Sequence, residues 1–404
     1  MRILQICHKP PQPSIDGGCL AMDALTQGLI ENGAEVKVIS ASTTKHPFQV
    51  DLLEPEYVQS TGIEAVKIET KLDYRDAYIA LLNGDSYNIS RFYAHHFAMV
   101  IKHVLSRRRY DVVHLESLYT TPYIDVVRQH APKALISLRS HNHEFQIWEQ
   151  QWKASHNPLS RLILRHLTKT LERYEKDILK EVDTIVSISE QEAKGYRDWG
   201  FEGPLHVAGF GTKKLSTAPS PSLPIPRSEN SFKLFHLGAM DWAPNREGID
   251  WFVETVWPVL SKKFDHIELH LAGKGLRPSA YQGLERVFNH GEVPNAQEFS
   301  DQFDLLVVPL LRGAGIRVKI VEAMANGIPV ATTLIGASGL DMEDQECILH
   351  SKPEDMAQSL SDLIESPERL EQMRVSSIKA IEHRFDLKKI GSDLLEFYAE
   401  HVQS

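Results

Sequence analysis

Cysteine is scarce: three residues in 404, at positions 7, 19 and 347, with neither a metal-ligand spacing nor the even number of a disulfide framework. That excludes a disulfide-stapled secreted domain, and Cys7, Cys19 and Cys347 are expected to be small buried hydrophobes in a reducing compartment. Long apolar runs are missing as well. Met1 to Cys7 enters a strand at once, without a basic leader, a cleavage site or a bilayer-spanning segment, so a soluble cytoplasmic protein is expected. There is no basic excess: 44 Lys and Arg face 54 Asp and Glu, a net charge of −10 that argues against a general nucleic-acid binder. Two catalytic patterns are also absent. The loop after the first strand, His8 to Gly18, leads into a helix expected to start near Cys19 and lacks the G-x-G-x-x-G spacing of a dinucleotide fingerprint, and no His-Glu-x-x-His helix of a zinc hydrolase occurs.

What is present is ordinary globular material, 42% hydrophobic and 24% charged, in a chain too long for one typical core. Short β-branched or apolar runs at 2–7, 35–40, 111–115, 134–138 and 183–188 alternate with helical stretches. The alternation restarts at 233–237, 267–272, 305–308 and 330–333. This is the pattern of parallel sheets with crossover helices. Between the two series, residues 217–226 carry four prolines and read as a linker. The expected organisation is a first domain at 1–215, a linker at 216–231, a second domain at 232–384 and a terminal segment at 385–404. In that segment Leu387, Ile390, Leu394, Leu395 and Tyr398 recur at helical spacing.

The most informative stretch runs from Pro309 to Val330. After the apolar run 305–308, Gly313 and Gly315 allow a tight turn and close approach to a ligand, and a helix is expected to follow. The first turn of that helix presents unpaired N–H groups to an anion, Arg317 and Lys319 add positive charge, and Glu322 can accept hydrogen bonds from a ribose diol. The alternative is an amphipathic helix with solvated charges. Residues 313–330 resemble the donor-site signature of family 4 retaining glycosyltransferases of the GT-B fold. Phe235 to Phe252 is similar to the opening strand and helix of that family's donor-binding domain. The resemblance implies an α/β chain of two Rossmann-like parallel-sheet domains facing a cleft, the first binding acceptor and the second nucleotide sugar, with a C-terminal helix crossing back to the first.

The resemblance implies roles residue by residue. Gly17, Gly18, Gly238, Gly313, Ala314, Gly315 and Ile316 would approach the donor backbone-first. Glu322 would hold the ribose, Val293 falls in a segment that resembles the base-contacting loop, and His141 would contact the transferred sugar; Lys274, placed just after a strand, reads either as lining the nucleotide pocket or as part of a plain turn. Asn142 and Glu144 would face the acceptor. Two departures stand out. The first of the family's two glutamates is Ala314 here, and its arginine and lysine pair after the first strand is replaced by Gly238-Ala239-Met240 with Pro244 and Asn245 downstream, so Arg317 and Lys319 are expected to substitute. His141 also follows a strand end, where α/β sheets place ligands. The readings of His141-Asn142-His143 as a zinc pair or as structural histidines stay open. The chain has no Asp-x-Asp triplet, so no metal and no cofactor are expected, with the nucleoside diphosphate sugar as co-substrate.

Residues 158–181 form a basic amphipathic helix candidate, and Arg107-Arg108-Arg109 adds a second positive cluster. These read either as a peripheral contact with the inner membrane face or as a solvated edge on a helix packed to its own sheet. The expected activity is transfer of a sugar, with retention, to a glycan, lipid-linked or protein-linked acceptor. The alternatives are an epimerase or hydrolase of the same architecture, and a weakly catalytic subunit that binds nucleotide sugar or a partner. No nucleic-acid partner is expected.

Overall fold

A computed structural model describes the chain apart from residues 14–15, 72, 212–230, 314–316, 339, 341–347, 351–352 and 403–404. Almost all of the expected linker, together with Ala314, Gly315, Ile316 and Cys347, lies outside the described residues. The chain divides into two compact units, Met1–Gly211 with Leu387–Ser404, and Thr212–Asp386.

The first unit holds strands β1 (Arg2–Cys7), β2 (Glu35–Ser42), β3 (Glu64–Lys67), β4 (Val112–Glu116), β5 (Leu135–Ser140), β6 (Thr184–Ser187) and β7 (Leu205–Val207). They form a parallel sheet in the order β3-β2-β1-β4-β5-β6-β7. The second unit holds β8 (Phe232–Leu237), β9 (Ile267–Ala272), β10 (Val287–Gly291), β11 (Leu305–Val308), β12 (Val330–Thr333) and β13 (Ile348–His350), parallel in the order β10-β9-β8-β11-β12-β13. The nine apolar runs read from the sequence are the interior strands of these sheets, buried on both faces by crossover helices. The four strands not anticipated, β3, β7, β10 and β13, are the four edges.

Two local starts differ from expectation. The first helix begins at Gly17 rather than near Cys19, because Asp16 caps it, its carboxylate accepting from the Cys19 N–H at 2.9 Å. The helix after Gly313 begins at Val318 and runs to Ala325, later than the glycine turn suggested. The basic segment is a helix from Pro158 to Asp177 with a 3₁₀ turn at Ile178–Lys180. Its buried residues, Thr168, Thr170, Leu171 and Glu175, all lie in the second half. Arg108 pairs with Glu35 at 2.6 Å, at the end of the sheet where the strands begin, so that cluster is remote from the loop following β5. Among the described residues no helix is long and apolar enough to cross a membrane.

The last helix, Leu387–His401, belongs to the first unit and packs along the helix Gly17–Glu31. Its apolar face buries Leu394 and Tyr398 completely. Contact between the two helices depends on facing glycines, since a Cβ on Gly391 would lie 2.3 Å from the Gly28 carbonyl group. Asn32 Nδ2 also donates to the Lys388 carbonyl at 2.7 Å. Replacing Gly391 by leucine would force the helices apart, and overpacking of this kind costs about 1–3 kcal/mol. Gly391→Leu is therefore expected to destabilise the first unit by that amount in chemical denaturation; an unchanged midpoint would refute the packing.

Candidate functional site

In the second unit the ends of β8, β9 and β10 are stitched together by backbone. Gly238 N–H donates to Ala272 O at 3.1 Å, Gly273 N–H to Gly291 O at 2.7 Å and Met240 N–H to Lys274 O at 2.7 Å. Gly273 has φ +141°, and a Cβ there would sit 1.8 Å from Gly238 O, so no other residue fits. The two glycines bring bare backbone to the carboxyl ends of the strands, where ligands of open α/β sheets bind.

Lys319 projects onto that surface from the first turn of its helix. Its ammonium donates to Asn245 Oδ1 at 3.0 Å and lies 3.4 Å from His236 Nε2. A Cβ on Gly238 would be only 2.6 Å from Nζ. The other His236 nitrogen donates to Val307 O at 2.7 Å, and burial with the Lys319 charge holds the ring neutral. Burial and the charge of Arg317 lower the Lys319 pKa to about 7. Arg317 is buried, its guanidinium stacks 5.5 Å from the Trp242 ring, and burial lowers its pKa to about 10. Gly313, at φ +130°, is pressed against it, since a Cβ there would meet Arg317 at 2.7 Å. Glu322 is exposed one turn beyond Lys319, Lys274 is exposed between Gly273 and Gly275, and Val293 is half-buried just past β10. Arg312, by contrast, is tied to Glu247 at 2.6 and 2.7 Å.

In the first unit His141 follows β5. Its Nε2 lies 2.9 Å from Glu116 Oε2, and the side chain is only 12% exposed. Glu116 is fully buried among Gln5 (2.9 Å), His114 (3.2 Å) and Arg139 (3.3 Å). Burial alone would favour its neutral form, but Arg139 and the two histidines hold it ionised, well below the usual carboxylate range. A carboxylate accepts, so His141 presents Nε2–H inward and Nδ1 is its other polar atom. Burial keeps the ring neutral against the pull of Glu116. On the far side, His114 Nδ1 lies 2.5 Å from the Tyr398 hydroxyl, which is 2.9 Å from Ser137 Oγ, so the last helix is wired to this site.

Lys9 and Asp16 complete the glycine loop. Lys9 Nζ sits 2.6 Å from Asp16 Oδ1, with His46 3.2 Å from the other oxygen, and a Cβ on Gly18 would be 2.8 Å from Nζ. Asn142 is half-buried, its carbonyl accepting from Ser140 Oγ at 3.1 Å. Glu144 opens the helix Glu144–Ala154 and accepts from Tyr119 OH at 2.8 Å, burial raising its pKa to about 7. Glu175 accepts from the Glu144 and Phe145 N–H groups, and burial with the Glu144 charge raises it to about 8. The structure thus groups His141, Asn142 and Glu144 on one loop, and Gly238, Gly313, Arg317, Lys319 and Lys274 around the strand ends of the other unit. Glu116, Lys9 and Asn245 were not anticipated as site residues. For Glu116, the only signal available was its place at the end of a buried strand.

Residues 231–366 match the family model described as Glycosyl transferases group 1. A relative from Klebsiella pneumoniae, an uncharacterized 44.6 kDa protein in the cps region, is 21% identical over 309 residues, covering 73% of this chain and 76% of that protein. Among solved structures, sucrose-phosphate synthase from Thermosynechococcus elongatus aligns with a TM-score of 0.68 at 16% identity, over 99% of both chains. HepE from Anabaena in complex with UDP aligns with a TM-score of 0.65 at 14% identity, over 99% of this chain and 100% of that one. Its complex with UDP-glucose gives 0.63 at 15%, with the same coverage. The fold is therefore GT-B, the second unit carries a glycosyltransferase group 1 domain, and together they support a transferase.

The carboxylates beside the His141 loop give a pH test. The folded pKa of Glu175 is raised above its unfolded value, so its contribution to stability is present in acid and is lost as pH rises from about 4.5 through about 8. Glu175→Gln is expected to flatten the decline of melting temperature between pH 5 and 8; an unaltered slope would contradict it.

Proposed function

We propose that this chain is a retaining glycosyltransferase that moves a sugar from a nucleoside diphosphate sugar to an acceptor hydroxyl in the synthesis of a glycan, polysaccharide or glycoconjugate. The observation that carries this reading is the Lys319 ammonium, held against Asn245 and the bare Gly238 backbone beside buried Arg317. Two cations desolvated at strand ends gain most from a multiply charged anion, and a diphosphate fits. The group 1 match over 231–366 and the UDP complexes of the HepE fold relative support the same ligand class.

In this reading Arg317, Lys319 and the helix start at Val318 take the diphosphate, and the exposed Glu322 carboxylate accepts from the ribose hydroxyls. Gly313 and Gly238 approach the donor by their backbone, with Lys274 and Val293 at the base, while Ala314, Gly315 and Ile316, outside the described residues, are assigned to the donor by the resemblance alone. His141 is assigned to the transferred sugar, Gly17 and Gly18 to the donor, and Asn142 and Glu144 to the acceptor. The bond between anomeric carbon and phosphate oxygen breaks with its electron pair on the phosphate. That charge develops against Arg317 and Lys319, which supply the stabilisation a metal ion gives in other transferases. The acceptor oxygen bonds to the anomeric carbon on the same face, and its proton passes to the departing phosphate oxygen. No enzyme nucleophile and no metal enter the scheme.

The contrast between two variants tests it. Loss of a charge-assisted hydrogen bond costs about 1.5–3 kcal/mol, so Lys319→Ala should weaken UDP binding by roughly ten- to a hundredfold in calorimetry. His141→Ala should leave UDP affinity nearly unchanged while slowing acceptor-dependent UDP release from the sugar nucleotide. Unchanged UDP affinity in Lys319→Ala removes the donor site, and release that does not depend on acceptor replaces transfer by hydrolysis.

A further inference from the structure

The helix Pro158–Asp177 leaves its first six residues exposed, and Leu159, Leu162 and Ile163 stand 67%, 65% and 52% in solvent. The helix Glu144–Ala154 packs along it and has only partly buried and exposed residues of its own. Arg165 closes the pair, its guanidinium 5.7 Å from the Trp152 ring. This helical hairpin is fixed to the unit at its base while three large aliphatic side chains at its tip touch no core. Between residues 145 and 171 the sequence has Lys153, Arg161, Arg165 and Lys169 against Glu149 alone, within a chain of net charge −10. Glu149 is itself paired with Lys153 at 3.0 Å. Arg161, Arg165 and Lys169 recur every four residues and so form one stripe beside the exposed leucines.

We propose that the first half of this helix docks on an anionic membrane surface, its aliphatic side chains entering the interface and its basic stripe meeting the lipid headgroups. Interleaved basic and aliphatic residues on one helix suit a surface that is apolar below and negatively charged above. A second copy of this chain fits less well, because a two-fold contact would set the basic stripe against itself. The hairpin begins at Glu144, directly after the His141 loop, and eleven helical residues span about 16 Å, so a bilayer under its tip lies close to that loop. Among the acceptor classes of the proposed function this favours a lipid-linked one; that choice rests on the role given to the loop, whereas the docking does not.

The test is flotation of the full chain with vesicles of phosphatidylglycerol and phosphatidylcholine in equal parts, and with phosphatidylcholine alone. Binding is expected only to the anionic vesicles and should weaken in high salt. Arg161→Glu with Lys169→Glu, and separately Leu162→Ser with Ile163→Ser, should each lower the partition coefficient by about tenfold or more. UDP affinity, measured on the same proteins, should not change. The proposal is overturned if the wild type ignores anionic vesicles, if neither pair alters binding, or if the wild type sediments as a dimer that both pairs dissociate. Failure of the wild type to bind UDP would remove the donor site while leaving the vesicle result to stand.

Discussion

Holding half-buried Lys319 beside buried Arg317 is the interaction around which the second unit's strand ends are arranged. An ammonium withdrawn from water is stable only with acceptors around it, and Asn245 Oδ1 with the neutral His236 ring provide them. His236 can act as acceptor because its other nitrogen is committed to Val307. A Cβ on Gly238 would displace Nζ from this position, and Gly273 must be bare for a separate reason, because it lies against the Gly238 backbone. One half-buried cation thus ties together a glycine, a histidine tautomer and an asparagine.

The first unit solves the opposite problem. There the buried charge is negative, and Glu116 is surrounded by Arg139, His114, His141 and Gln5. Its charge orients the His141 ring, and through His114 it reaches Tyr398 on the last helix, so the residue at the candidate site and the element that closes the unit share one polar network. The facing glycines 28 and 391 let that helix approach closely enough for Tyr398 to take part.

Interior strands were legible in the sequence because burial on both faces makes them continuous apolar runs. The edges β3, β7, β10 and β13 were not, since an edge need be neither long nor apolar; Glu64–Lys67 is a four-residue strand with a charge at each end. Helix starts shifted where a local bond decides, as when Asp16 moved the first helix to Gly17. Gly313, Arg317, Lys319 and His141 could be singled out because glycine turns and charges after a strand carry a local pattern. Their partners could not. Asn245 is 74 residues from Lys319, and Glu116 is 25 from His141 on a neighbouring strand, so only the sheet order brings them together.

The central claim is that Lys319 receives a diphosphate, whose charge favours the ammonium form of its amine. With a pKa of about 7 it is mostly neutral at pH 8, and an adjacent diphosphate would raise that value and draw a proton from the buffer. The direct measurement is calorimetry of UDP binding at pH 8 in two buffers of different ionisation enthalpy, which counts protons taken up. The wild type should take up close to one proton per UDP and Lys319→Met none; no uptake by the wild type, or equal uptake by both, would contradict the account.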